Sequence, residues 1–246
     1  MIAKLLMSGL LKGSFVPPEQ IRELRVLHRH RRKLIGQRTA EKNRLQNILE
    51  DANIKLGSVV SDVFGVSGLA MVKALAAGET TPKELADLAK GSLVKKRPEL
   101  IKALTGRVTE HHRFMLSFIL QTIQQINEQL ALLEARIDKY LIQMPLEVQL
   151  LQTIPGVYKQ VATGILAEIG CDMTQFPSHR HLASWAGVCP GNNESAGKKY
   201  SSRTTSGNKC LKTTLVEEAW AASHSKANPI LAVKHKCIVP QILRER

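Results

Sequence analysis

Between Trp185 and Trp220 the chain reads WAGVCPGNNESAGKKYSSRTTSGNKCLKTTLVEEAW, which sets one serine, Ser195, in a glycine-rich cationic loop directly ahead of an amphipathic helix. Gly187, Gly191, Gly197 and Gly207 permit backbone conformations that a side chain forbids, so this loop can approach a ligand closely. Lys198, Lys199, Arg203, Lys209 and Lys212 supply positive charge suited to a phosphate-bearing partner. A serine hydroxyl is a weak nucleophile at neutral pH, and neighbouring cations can stabilise the charge that develops on phosphorus. The chemistry these residue types point to is attack on a phosphodiester. Glu194 beside the serine is a candidate base or a solvated acid. Serines in Gly/Asn-rich loops also cap helices and close turns, and residue types alone leave that role open for Ser195. Trp185 and Trp220 each lie in an apolar helical pattern and read as core anchors rather than base-stacking platforms.

The elements that must position this loop read as helices. Pro17 and Pro18 stop any preceding helix, and a helical pattern then runs from about Ile21 to Glu50 with Ile21, Leu24, Leu27, Leu34, Leu45, Ile48 and Leu49 on one stripe. Between them Arg29, Arg31, Arg32, Lys33 and Arg38 form a basic face that can follow a phosphate backbone or stand solvated. A second helix carries Leu116, Ile119, Ile123, Ile126, Leu130, Leu133, Ile137 and Tyr140 at alternating spacings of three and four, a heptad seam. It is expected to pack on the first helix, on its copy in another protomer, or on both. Residues 51–107 between them read as a small helical insertion, with Thr81 before Pro82, Glu84 in a first turn and Gly91 as a stop. His111 and His112 read as surface residues, since a metal site needs partners that their neighbourhood does not supply.

From Leu150 a short helix, a Pro-Gly-Val turn and a second helix follow, similar to the helix-hairpin-helix motif, with Tyr158 where a second glycine is usual. Backbone amides near Gly156 can hold a phosphate there, or the pair can be purely structural. Glu168 and Asp172 read as capping or solvated acids.

Composition bounds these readings. With 246 residues and 43% hydrophobic content the chain can bury one sizeable core or two smaller ones. A net charge of +14 favours polyanions, with nucleic acid the leading partner class and a solvated cationic surface the bland alternative. The cysteines at 171, 189, 210 and 237 form no C-x-x-C pair, so neither a zinc site nor a disulfide framework is expected, and a reducing cytoplasm suits them. No apolar run is long enough to span a bilayer.

The IPGV hairpin, the SWAGVCPGNNESAGK loop and the GNKCLKTTLVEEAW helix together resemble the carboxy-terminal transposase domain of bacterial insertion-sequence transposases of the DEDD type, described as bridge-RNA-guided recombinases. The basic and heptad helices resemble that family's coiled-coil region. The resemblance implies that Ser195 is the nucleophile and that Gly197, Gly207 and Asn208 occupy the glycine and asparagine positions around it. Where the family often has Leu-Arg this chain has Leu211 and Lys212, which keeps the charge and loses the bidentate fork. The resemblance further implies DNA and a guide RNA as partners, a homo-oligomer joined through the heptad helix, and a nucleoid-associated bacterial protein. The family's RuvC-like domain binds divalent metal, magnesium, through four acidic residues. This chain is expected to start just beyond the last of them and so to hold no metal or cofactor itself. The carboxy-terminal CIVPQILRER also departs from the apolar helix expected, as in a truncated copy or a fragment.

The fold expected is all-α. Residues 1–20 are a remnant or linker, and 21–145 a long helical hairpin with the 51–107 insertion. Residues 146–246 form a compact helical transposase domain. The function expected is DNA strand transfer by serine transesterification, with the chain alone binding nucleic acid without recombining it. The alternatives are a noncatalytic nucleic-acid-binding module and, on weaker grounds, a hairpin-type repair enzyme.

Overall fold

The computed structural model describes residues 4, 7–9, 16–79, 81–191, 193–201 and 203–224, the side chains of residues 193, 194, 199, 200 and 224 apart. Most of residues 1–15 of the expected remnant or linker, and the whole CIVPQILRER segment, fall outside them. Helix dominates, as the periodicity predicts. The sheet formed by the described residues is one antiparallel hairpin.

Helix α1 spans Glu19–Asp51, with Pro17 and Pro18 ahead of it and Glu19 in its first turn, where an acid complements the exposed amides. Three short helices follow, α2 (Val66–Ala77), α3 (Pro82–Asp87) and α4 (Arg97–Ala103), and then the long α5 (Glu110–Leu141). Helix α3 starts where Thr81-Pro82 predicts, but it ends at Asp87, and Gly91 instead opens a 3-10 turn with φ +63°. After α5 come α6 (Pro145–Gln152), α7 (Lys159–Ile169), α8 (His179–Ala186), strands β1 (Asn193–Ser195) and β2 (Lys198–Ser201), and α9 (Lys209–His224).

The chain divides into two compact units, one of residues 31–134 and one of residues 1–30 with 135–246. In the first, Leu45 and Leu49 of α1 pack with Leu116, Ile119 and Ile123 of α5 and with Met71, Leu75, Leu85 and Leu100 of the insertion. Leu34 meets Ile126 and Leu130 in a smaller cluster. The heptad seam is therefore buried against α1 of its own chain in this unit. His112 is buried too, 8% exposed, with Nε2 2.9 Å from Asp51 and Nδ1 against Thr109. It is no surface residue.

In the second unit Leu24 packs with Ile137, Leu141 and Ala167. A further core joins Val157, Ala162, Ile165 and Ile169 to Ala186 of α8 and Leu211 of α9, which fixes the carboxy-terminal helices around α7.

Candidate functional site

The site is built on the joint between α8 and α9. Helix α8 ends in a Schellman motif, in which Gly187 takes φ +73°, its amide donates to the Ser184 carbonyl and the Val188 amide reaches back to Ala183. The chain then leaves as one arm of a ribbon, and the other arm returns to α9. The Thr205 amide donates to the Cys189 carbonyl and the Gly191 amide to the Arg203 carbonyl, each at 2.9 Å. Further out β1 and β2 pair with Glu194 opposite Lys199 and Ser195 opposite Lys198. Ala196 and Gly197 close the turn with φ of +51° and +73°, the positive pair a type I′ hairpin turn requires.

Ser195 thus stands exposed at the tip of a two-stranded ribbon. Directly opposed residues share a face with Cβ atoms about 5 Å apart, so the exposed Lys198 is its cross-strand neighbour.

At the base of the ribbon two glycines lie backbone to backbone. A Cβ on Gly207 would stand 2.6 Å from the Trp185 carbonyl oxygen and inside the van der Waals envelope of the Gly187 backbone. Neither is a flexible side-chain end that can give way. Gly207→Ala is expected to cost about 3 kcal/mol by overpacking and lower Tm by about 6–12 °C. Differential scanning calorimetry checks this.

The residue after Gly207 ties the joint to the core. The Asn208 amide donates to the Trp185 carbonyl at 3.0 Å, and its side-chain oxygen accepts from the Cys210 and Leu211 amides at 3.0 and 3.1 Å, a complete N-cap for α9. Its Nδ2 donates to Glu168 Oε2 at 2.6 Å. Glu168 is only 2% exposed, and Arg29 grips its two oxygens through Nε and Nη2 at 2.8 Å each. Arg25 adds its charge at 3.6 Å and donates to the Ala167 and Glu168 carbonyls. Burial pushes the Glu168 carboxyl up, but the Arg29 and Asn208 hydrogen bonds and the charges of Arg29 and Arg25 outweigh it and hold it below the ordinary glutamate value.

Glu168 is therefore the buried hub of a charged network, not a capping or solvated acid. A lone carboxylate in the otherwise apolar ATGILAEIG was the signal for it, because a charge is buried only when paired. Asp172 does cap, accepting from the Thr174 amide at the start of a 3-10 turn.

The expected nucleic-acid contacts are dispersed. Arg29 is committed to Glu168, while Arg31 pairs with Glu134 at 2.8 Å and keeps only 14% of its side chain exposed. Arg38 donates to the Asn127 side chain, Arg32 is half-buried, and Lys33 is exposed. Lys198, Arg203 and Lys209 are exposed, Lys212 donates to the Thr204 hydroxyl, and Lys199 lies on β2. Gly156, with φ +91°, turns its Cα toward α9, where an added Cβ would lie 3.2 Å from Ala222. Its close approach is to this chain's own helix.

The tryptophans are not core anchors. Trp185 is 40% exposed and Trp220 63%. Trp185 lines an open cleft of about 520 Å³ together with Arg29, Gly207, Asn208 and Lys209. Among the described residues Cys171, Cys189 and Cys210 are half-buried and form no disulfide. Among them, too, no group of three or more His, Cys, Asp or Glu comes together as metal ligands would. No helix among them is long and apolar enough to cross a membrane.

Residues 148–235 match the model of the transposase family IS116/IS110/IS902, and residues 1–54 match that of a DEDD transposase of IS110 type. Over 105 residues the chain is 32% identical to an uncharacterized 43.6 kDa protein of insertion element IS110 from Streptomyces coelicolor. That match covers 42% of this chain and 25% of the relative. No solved structure matches.

Proposed function

We propose that this chain, which carries IS110-type transposase domains in residues 1–54 and 148–235, acts in DNA transposition with Ser195 as the nucleophile of strand exchange. The observation that supports this is the exposed Ser195 hydroxyl at a ribbon tip, opposite Lys198 and on a segment matching the transposase family. In the proposed step Ser195 Oγ bonds to phosphorus, the bond from phosphorus to a deoxyribose oxygen breaks, and the serine proton passes to a base or to solvent. The phosphoseryl ester conserves the energy of the broken bond, and a deoxyribose hydroxyl of the partner strand reverses the reaction. Lys198 stabilises the pentacoordinate charge.

The reading includes a guide RNA and a second copy of the chain. Because the seam residues Leu116 to Leu130 are buried within the chain, a second copy must use another face of α5, where Phe114 and Phe118 stack at 6.3 Å and are 66% and 57% exposed. It also places the protein in the bacterial cytoplasm, beside the nucleoid.

Incubation with labelled oligonucleotide duplexes, followed by denaturing electrophoresis, tests the proposal. A covalent adduct that requires Ser195 supports it. Salt-dependent binding with no adduct favours the noncatalytic module instead.

A further inference from the structure

We propose that the cleft at the base of the ribbon takes an unpaired nucleotide of single-stranded DNA or RNA, its base stacked on Trp185 and its phosphate drawn by Lys209, beside the net positive charge of the Arg25–Arg29–Glu168 cluster. This rests on the reading that the domain binds nucleic acid, and it names the element bound. The indole lines an open cleft of about 520 Å³ with 40% of the residue exposed, although it lies in an apolar helical pattern that predicts burial. Phe176 meets the ring side-on, centroids 5.6 Å apart and planes at 63°, and so steadies it.

The backbone holding the ring is equally fixed. The Trp185 carbonyl accepts the Asn208 amide, Gly187 ends α8 immediately after it, and Gly207 presses against that carbonyl. A flat, rigid, half-exposed aromatic surface is what base stacking uses, because every base has a π-face.

Charge narrows the ligand. Arg25 and Arg29 together outnumber the single Glu168 they pair with, and Lys209 stands exposed on the first turn of α9, so the cleft favours an anion. The cleft is not a simple helix-end anion nest. Asn208 already occupies the Cys210 and Leu211 amides, and recognition therefore falls to the ring and the cations. A base inside a duplex has both faces covered by its neighbours, so the ligand that can give Trp185 a face is unpaired. Ser195 lies at the ribbon tip, beyond the Pro190–Thr204 bridge at its base, which makes the cleft a binding subsite apart from the attacked phosphate.

The chain has two tryptophans, so the Trp220→Phe variant reports from Trp185 alone. It is titrated at low salt with an oligo-dT, an oligo-rU and a blunt DNA duplex of equal length. Quenching of Trp185 emission by either single strand, with the duplex binding but not quenching, is expected, and the two single-strand arms separate DNA from RNA. Trp185→Leu is expected to weaken single-strand binding about tenfold to hundredfold while Trp185→Phe retains most of it and duplex affinity stays unchanged. Lys209→Ala is expected to lower the salt slope by about one. Single-strand binding with unchanged Trp185 emission, or equal quenching by the duplex, overturns the cleft proposal and leaves DNA binding standing. Failure to bind all three probes overturns both.

Discussion

Alanine at position 195 is expected to leave the fold and the DNA affinity unchanged and to reduce covalent protein–DNA adduct by on the order of 10³-fold or more. The first half follows from position. Ser195 is exposed at the ribbon tip, and an exposed substitution away from packing changes stability by less than about 0.5 kcal/mol. The second half follows from chemistry. If the Ser195 hydroxyl is the atom that bonds to phosphorus, nothing at that position replaces it in Ser195→Ala. A Ser195→Cys variant keeps a nucleophile at the same place and is expected to give a weaker adduct that is thiol-linked. Lys198→Ala, across the strand pair, is expected to slow adduct formation about tenfold, because the open tip screens its charge. The measurement is the time course of the SDS-stable adduct for all four proteins. Adduct persisting undiminished in Ser195→Ala moves the nucleophile elsewhere.

Periodicity carried most of the fold. The stripe Ile21, Leu24, Leu34, Leu45, Leu49 and the seam residues Leu116, Ile119, Ile123, Ile126, Leu130 and Ile137 are buried as their spacing requires, and α1 runs within two residues of the expected bounds. The loop was legible as a loop but not as a ribbon. Its pairing depends on Ala196 and Gly197 both adopting positive φ, and alanine is a poor advertisement for such a turn.

Charge was the least legible property. Arg29 and Arg31 have the composition of a phosphate-binding face, yet their partners Glu168 and Glu134 lie more than a hundred residues away, beyond what local spacing reports. The same limit hid Trp185. Its helical context is apolar, but the residues that leave its ring open, Gly207 and Asn208, arrive from the far side of the ribbon.

Loss of the Glu168 carboxylate is expected to destabilise the carboxy-terminal unit by about 2–4 kcal/mol in Glu168→Ala. Removing one member of a buried ion pair costs about 3–5 kcal/mol, and here the Arg29 side chain, 47% exposed, recovers part of that by rehydrating. Asn208 then loses the acceptor that orients its amide, so its cap on α9 weakens as well, by about 1 kcal/mol at most. Glu168→Gln keeps an oxygen for Asn208 and removes only the charge, so it is expected to fall between the two. The effect depends on pH in a stated direction. The folded carboxyl titrates below its ordinary 4.5, so its contribution is complete above about pH 4.5 and is lost as pH falls through the lowered folded value. Urea midpoints of the native protein and Glu168→Gln, taken from about pH 3 to 7, are therefore expected to differ by a constant amount above about pH 4.5 and to draw together as pH falls below it. A difference between them that stays constant across the whole range means the carboxylate is not held ionised by Arg29. Asn208 then holds the ribbon base to α7 through a neutral hydrogen bond only, beside the packing of Ala186 and Leu211 on that helix.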